Sequence, residues 1–172
     1  MNPVIENILT RRSVRSFTDT PISKEDVQLL IQAGLYAPSG KNRQTWQFTA
    51  IFDPEKIQTL AKAIETALNR QGYDMFRPQV LIIPSNERDS IHGKEDNACA
   101  LENIFLAAHS MGIGSVWLNQ LQGICDEPEI RRVLTSFQIP QDHIVYGMAA
   151  LGYPAPAPQK TIQKTGKVVM IE

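Results

Sequence analysis

Three guanidinium groups and a hydroxyl fall within five residues, Arg11-Arg12-Ser13-Val14-Arg15. Arginine carries forked donors that match the oxygens of a phosphate, and serine adds a short neutral bond. At the end of an apolar helical stretch such a cluster can surround a dianion, each charge-assisted bond contributing roughly 1.5–3 kcal/mol. A solvated basic turn is the alternative that these five residues leave open. A second polar group runs Pro38-Ser39-Gly40-Lys41-Asn42-Arg43-Gln44-Thr45-Trp46. Turn formation accounts for Ser39, Gly40 and Asn42. Amides at Asn42 and Gln44, followed at once by Trp46, also suit the donor and acceptor edge of a heterocycle, with the aromatic supporting its face. Both readings stand at this point.

Other motifs point away from particular chemistries. Gly112-Ile113-Gly114-Ser115-Val116-Trp117 misses the dinucleotide pattern, because Trp117 occupies the place of the third glycine. It also follows a helical stretch, whereas that pattern follows a strand and opens a helix, so it reads as a helix C-terminus. His92, His109 and His143 are far apart, lack metal-ligand spacing and are expected to be structural or superficial. The sequence contains neither a GxxxxGK[ST] phosphate loop nor a GxSxG nucleophile elbow.

The elements that must position these groups follow from apolar spacing. Val4, Ile5, Ile8 and Leu9 have helical period and lead into the arginine cluster. Ser23 with Asp26 three residues on caps a helix whose face is Val27, Leu30, Ile31 and Leu35, ending before Pro38. Gln47–Phe52 reads as a strand, and Asp53-Pro54 opens a helix carrying Ile57, Leu60, Ala61, Ile64 and Leu68. Val80–Ile83 is a short, wholly apolar strand. Asp96–Met111 is a helix apolar on most sides, suited to a domain centre or a subunit interface. Strands over Ser115–Leu118 and Tyr146–Leu151 flank a short helix from Pro128 to Leu134. The proline-rich tail after Pro154 is expected to be extended over a surface, with Val168–Ile171 as a possible last strand. The short spacings do not mark regular βαβ units, so the expected class is α+β, a sheet flanked by helices.

The chain has 172 residues, 42% hydrophobic and 20% charged, which suits one globular domain with a real core. Its 17 basic and 18 acidic residues leave a net charge of −1, which argues against broad binding to nucleic acid or to an anionic membrane. Any bound anion must be gripped by a local cluster. Cys99 and Cys125 form no CxxC pair, and Cys99 reads as a small core residue. With no charged n-region before an apolar run at the start, no signal peptide is expected and a reduced, cytoplasmic setting is. No stretch approaches the ~18 uninterrupted apolar residues of a membrane span.

Taken in order, Arg-Arg-Ser-x-Arg-x-Phe at 11–17, Pro-Ser-x-x-Asn-x-Gln-x-Trp at 38–46, Gly-Ile-Gly-Ser at 112–115 and Leu151-Gly152-Tyr153-Pro154 resemble the nitroreductase family of flavoproteins. The resemblance spans nearly the whole chain and is weakest over 53–94. It implies an α+β fold with a central, mostly antiparallel sheet flanked by helices. It also implies an intertwined homodimer with FMN between the subunits. By this resemblance Arg11 and Ser13 hold the FMN phosphate with Arg12 beside them, and Arg15 lies near the pyrimidine end. Ser39, Asn42 and Gln44 come from the other subunit. The Asn119 backbone N–H faces flavin N5, with Leu118 and Gln120 alongside. After the Gly152 turn, Lys160 completes the phosphate site, with Lys164 as the alternative. Thr45 stands where the family commonly has proline, a departure expected to loosen the turn, and lysine replaces the more usual arginine near the end.

The activity implied is NAD(P)H-dependent reduction of nitroaromatics, quinones or similar small electron acceptors. The implied route is ping-pong hydride transfer through flavin N5, with Arg15 favouring the reduced ring and no side chain strictly catalytic. Three alternatives remain: a specialised family reaction (dehalogenation, azoline oxidation or flavin fragmentation), an FMN-binding or redox-sensing dimer without turnover, and a cofactor-free interaction domain, which the polar clusters disfavour.

Overall fold

The run Val80-Leu81-Ile82-Ile83 lacks polar alternation because both of its faces are covered. A computed structural model of the chain describes residues 1–156 and 163–172. In it this run opens β2 (Val80–Glu87), which pairs with β1 (Trp46–Ile51) on one side and β5 (Met148–Gly152) on the other. The sheet order is β1-β2-β5-β3, with β3 at Gly114–Leu118, and β4 (His143–Ile144) pairs with the far end of β2. Every ladder is antiparallel.

Alternate β2 side chains enter different cores. Val80 and Ile82 pack with Leu30 of α2 (Lys24–Leu35) and with Leu101, Ile104 and Phe105 of α4 (Gly93–Ser110). Leu81 and Ile83 pack with Ile57, Leu60 and Ile64 of α3 (Pro54–Ala67) and with Leu134 of α5 (Pro128–Ser136). The layers are therefore helix, sheet, helix, as expected of the α+β class. The first helix, α1 (Pro3–Thr10), buries no residue and is tied to α4 where Asn7 Nδ2 donates to the Leu106 carbonyl at 2.9 Å.

The helix starts agree with their caps: Ser23 Oγ accepts from the Asp26 N–H, and Asp53 Oδ1 accepts from Glu55 and Lys56. Several expectations need correction. β2 continues past Ile83 through Pro84 to Glu87. A proline is tolerated there because β5 pairs only as far as Ile82, so Pro84 faces a ladder on the β1 side alone. The central helix begins at Gly93 rather than Asp96, and β5 begins at Met148 rather than Tyr146. Cys125 is the buried core cysteine, whereas Cys99 is only half-buried. Val168–Ile171 forms no strand, and these four side chains are 68–93% exposed.

Two glycines set how the N-terminal segment lies. Val14 N–H donates to the Ser115 carbonyl at 2.9 Å, and Ser13 bridges Ser115 in parallel, so residues 13–14 run along the open edge of β3. A β-carbon on Gly114 would stand 2.8 Å from Val14 Cβ, and one on Gly152 would stand 2.7 Å from the Phe17 ring. The segment crosses the sheet end where those side chains are missing. Gly152→Ala is expected to cost about 1–3 kcal/mol by overpacking, lowering Tm by roughly 2–4 °C per kcal/mol. A thermal melt unchanged from that of the parent would contradict this packing.

Candidate functional site

The crossing gathers three of the four sequence motifs at one end of the sheet. Thr18 N–H donates to the Tyr153 carbonyl at 2.8 Å, Ala155 N–H donates to the Ser16 carbonyl at 3.0 Å, and Phe17 bridges Pro154. The arginine cluster, the Gly112–Ser115 turn and the Leu151–Pro154 turn are thereby locked together. With Val14 turned onto Gly114, Ser13 and Arg15 are left exposed.

The three arginines have different employments. Arg11 is half-buried and faces Glu102 of α4 at 3.7 Å. Arg12 turns back, its Nη1 donating to the carbonyls of Leu9 and Arg11 at 2.7 and 2.8 Å, so it caps the C-terminus of α1. Arg15 makes no ion pair or hydrogen bond among the described residues; its guanidinium lies 6.0 Å from the centre of the Phe76 ring. Arginines 11 and 15 thus remain disposed toward an anion, and Arg12 supports the turn.

Ser39, Asn42 and Gln44 occupy a tight loop built on Asp96. Asp96 is buried in the first turn of α4; its Oδ2 accepts from Ser39 Oγ at 3.0 Å and its Oδ1 from the Gly40 N–H at 2.8 Å. The Ser39 hydroxyl in turn accepts from the Gln44 N–H at 2.9 Å, which makes Ser39 a brace within the loop. Gln44 Nε2 donates to Asn42 Oδ1 at 2.8 Å, leaving Asn42 Nδ2 and Gln44 Oε1 outward. Lys41, Asn42 and Gln44 all have positive φ, between 50° and 54°. Strain of that kind persists only where surrounding bonds over-determine the backbone. Thr45 is fastened to its surroundings, its Oγ1 lying 3.0 Å from both Asn86 Oδ1 and Ser90 Oγ. Trp46 is half-buried with its ring 5.7 Å from that of Phe48, so it packs within the sheet.

Residues 118–120 end β3. Leu118 is buried in the core, which leaves only its backbone to face a ligand. Asn119 is exposed, and its backbone N–H has no acceptor among the described residues. Gln120 Oε1 is buried without a partner among the described residues. Lys160 lies outside the described residues, and Lys164 is exposed.

Within one chain the two polar groups do not meet. Arg11 is tied to Glu102 and Ser39 to Asp96, six residues apart on α4. That spacing is about 9 Å along the helix axis and about 120° around it. Asp96 and Glu102 were not singled out by sequence, though an aspartate in the first turn of an otherwise apolar helix is a signal of loop anchoring. His109, expected to be structural, accompanies them. Thr10 Oγ1 donates to the Glu6 carbonyl at 2.7 Å, so the 2.9 Å contact with His109 Nε2 needs the ring nitrogen as donor. Burial, and then the charges of Arg11 and Arg12, hold His109 below the ordinary histidine pKa.

A family model described as the nitroreductase family matches residues 8–153. The chain belongs to that family. A crystal structure of a nitroreductase with bound FMN from Bacteroides fragilis is 38% identical, superposes with a TM-score of 0.91, and covers 100% of each chain. The NADPH-flavin oxidoreductase of Vibrio harveyi is 30% identical and is matched over 100% of this chain and 74% of its own length. An FMN reductase (NADPH) of Bacillus subtilis is 29% identical, over 90% of this chain and 67% of its own. Among the described residues, no helix of this family member is long and apolar enough to cross a membrane.

Two outcomes are expected. Asp96→Ala removes the acceptor for Ser39 and Gly40 and should cost about 1.5–3 kcal/mol; amide exchange at Gly40 and Gln44 should accelerate, and unchanged protection there would refute the anchor. For His109 the unfolded chain takes up a proton near pH ~6.5, before the folded chain does. Its stabilising contribution is therefore present above that pH and lost as pH falls through the lower folded value. Denaturation midpoints of His109→Gln should fall less steeply than those of the parent below pH ~6.5; parallel profiles would count against the depressed value.

Proposed function

We propose that this protein is an NAD(P)H-dependent FMN oxidoreductase working as a homodimer, with Arg11 and Ser13 holding the flavin phosphate. The observation that carries this is the crossing of residues 13–17 over Gly114 and Gly152, which exposes Ser13 and Arg15 beside the end of β3. The donor set fits FMN. Arg11 has one anionic neighbour, at 3.7 Å, and Arg15 has none among the described residues. The Asn119 N–H is unengaged among those residues, and beside it Gln120 Oε1 is buried and orphaned.

FMN, when bound, would supply the redox chemistry for an NAD(P)H-dependent reduction of a nitroaromatic, quinone or similar acceptor. The chain's own residues bind and orient. Arg11 and Ser13 grip the phosphate, joined by Lys160 or Lys164. Arg15 places a cation where negative charge develops on reduction. The Asn119 N–H, unengaged among the described residues, would serve as a donor to the flavin with Leu118 and Gln120 as backbone neighbours, and no side chain would be required to move a proton. One shared pocket for both substrates makes the kinetics ping-pong.

The homodimer reading rests on exposed apolar surface. On α1, Val4, Ile5, Ile8 and Leu9 are 47–64% exposed, and the tail adds Val168–Ile171. A contiguous apolar face of this kind marks an interface. In the dimer the partner's loop at 39–44 supplies Asn42 and Gln44 to the pocket, resolving their separation from Arg11 within one chain. The purified protein should be yellow and sediment as a dimer, and NADH or NADPH should bleach it rapidly in stopped flow until an acceptor restores the colour. Flavin that binds but is not bleached would leave a binding protein in place of an enzyme. Arg11→Ala should lose FMN during purification, and a full flavin complement in that variant would refute the phosphate assignment.

A further inference from the structure

Three consecutive residues with β-carbons, Met75, Phe76 and Arg77, have φ of 55°, 65° and 47°. This is a turn of left-handed backbone that L side chains disfavour, and no glycine relieves it. Neighbouring bonds hold it in place. Met75 is fully buried in the core against α3 and α5. Asp74 accepts from the Phe76 N–H through Oδ1 at 2.9 Å and from the Arg77 N–H through its carbonyl at 3.0 Å. Asp74 Oδ2 also meets Arg77 Nε at 3.3 Å, and the Asp74 carbonyl takes a bond from Gln58 Nε2 of α3 at 3.2 Å. A strained segment so fully fastened presents the Phe76 ring to the N-terminal segment of the same chain, half-buried on the core and 6.0 Å from the Arg15 guanidinium.

Arg15 is otherwise without a partner among the described residues. An exposed arginine samples many rotamers, and a fixed aromatic face restricts a planar guanidinium to the few that lie over it. We propose that Phe76 is the positioning residue for Arg15, and that the left-handed turn at 75–77 serves to present its ring there. The inference rests on the reading that Arg15 lies at the pyrimidine end of bound FMN. It assigns a role to the segment between α3 and β2, where the family resemblance is weakest.

The test is the midpoint potential of the flavin in purified holoprotein, with the FMN dissociation constant measured alongside. Replacing Phe76 by pentafluorophenylalanine keeps the size of the ring and reverses its electrostatic face, so folding is not at issue. That replacement and Phe76→Leu should both shift the potential negative, in the same direction as Arg15→Ala and by less, while Phe76→Tyr should retain the parent value. In an Arg15→Ala background the replacement at 76 should add nothing. A shift with Arg15→Ala but none with the fluorinated ring would overturn the positioning role and leave the placement of Arg15 intact. Full additivity in the double variant would also overturn it. No shift with Arg15→Ala would overturn the placement of Arg15, and the proposal with it.

Discussion

The whole site depends on one close approach. Residues 13–17 lie against β3 and the end of β5 only because Gly114 and Gly152 present hydrogen where any other residue would present carbon, at 2.8 and 2.7 Å from Val14 and Phe17. Three backbone bonds, from Val14, Thr18 and Ala155, then hold the two sides together. With the apolar members of the segment turned inward, Ser13 and Arg15 have no direction left but outward. A cluster that could have been a solvated basic turn becomes an ordered one beside a strand end whose next backbone N–H, that of Asn119, lacks an acceptor among the described residues.

The central helix α4 organises the rest. Its apolar side, through Leu101, Ile104 and Phe105, is committed to the sheet and α2. Its remaining sides carry Asp96 and Glu102, which anchor the two polar groups about 120° apart around the axis. A helix placed between the two polar groups keeps them apart within one chain. The apolar face of α1 and the tail at Val168–Ile171 are both exposed in the single chain.

Much of the fold was legible in local patterns. Val80–Ile83 declared a strand buried on both faces, and Ser23 and Asp53 declared helix starts, because capping and burial are read from near neighbours. Where longer-range pairing decided, the reading stopped short. The strand read over Val80–Ile83 stops before Pro84, and the early finish of β5 permits β2 to run through it. Arg12 was grouped with its neighbours by type, yet its side chain closes α1. Ser39 was assigned to a ligand, and its hydroxyl braces the loop against Asp96. Val168–Ile171 has the composition of a strand but joins no ladder among the described residues.

By itself the sequence determined the family, the α+β class and the residue types able to grip a phosphate, because these follow from motifs in order and from apolar periodicity. The tertiary structure alone decided which of those residues remain available. Whether a guanidinium faces a carboxylate or an aromatic ring depends on segments far along the chain, as with Phe76 beside Arg15 and Glu102 beside Arg11. The same is true of the left-handed turn at 75–77, which no local propensity favours and which only the burial of Met75 and the bonds to Asp74 can hold.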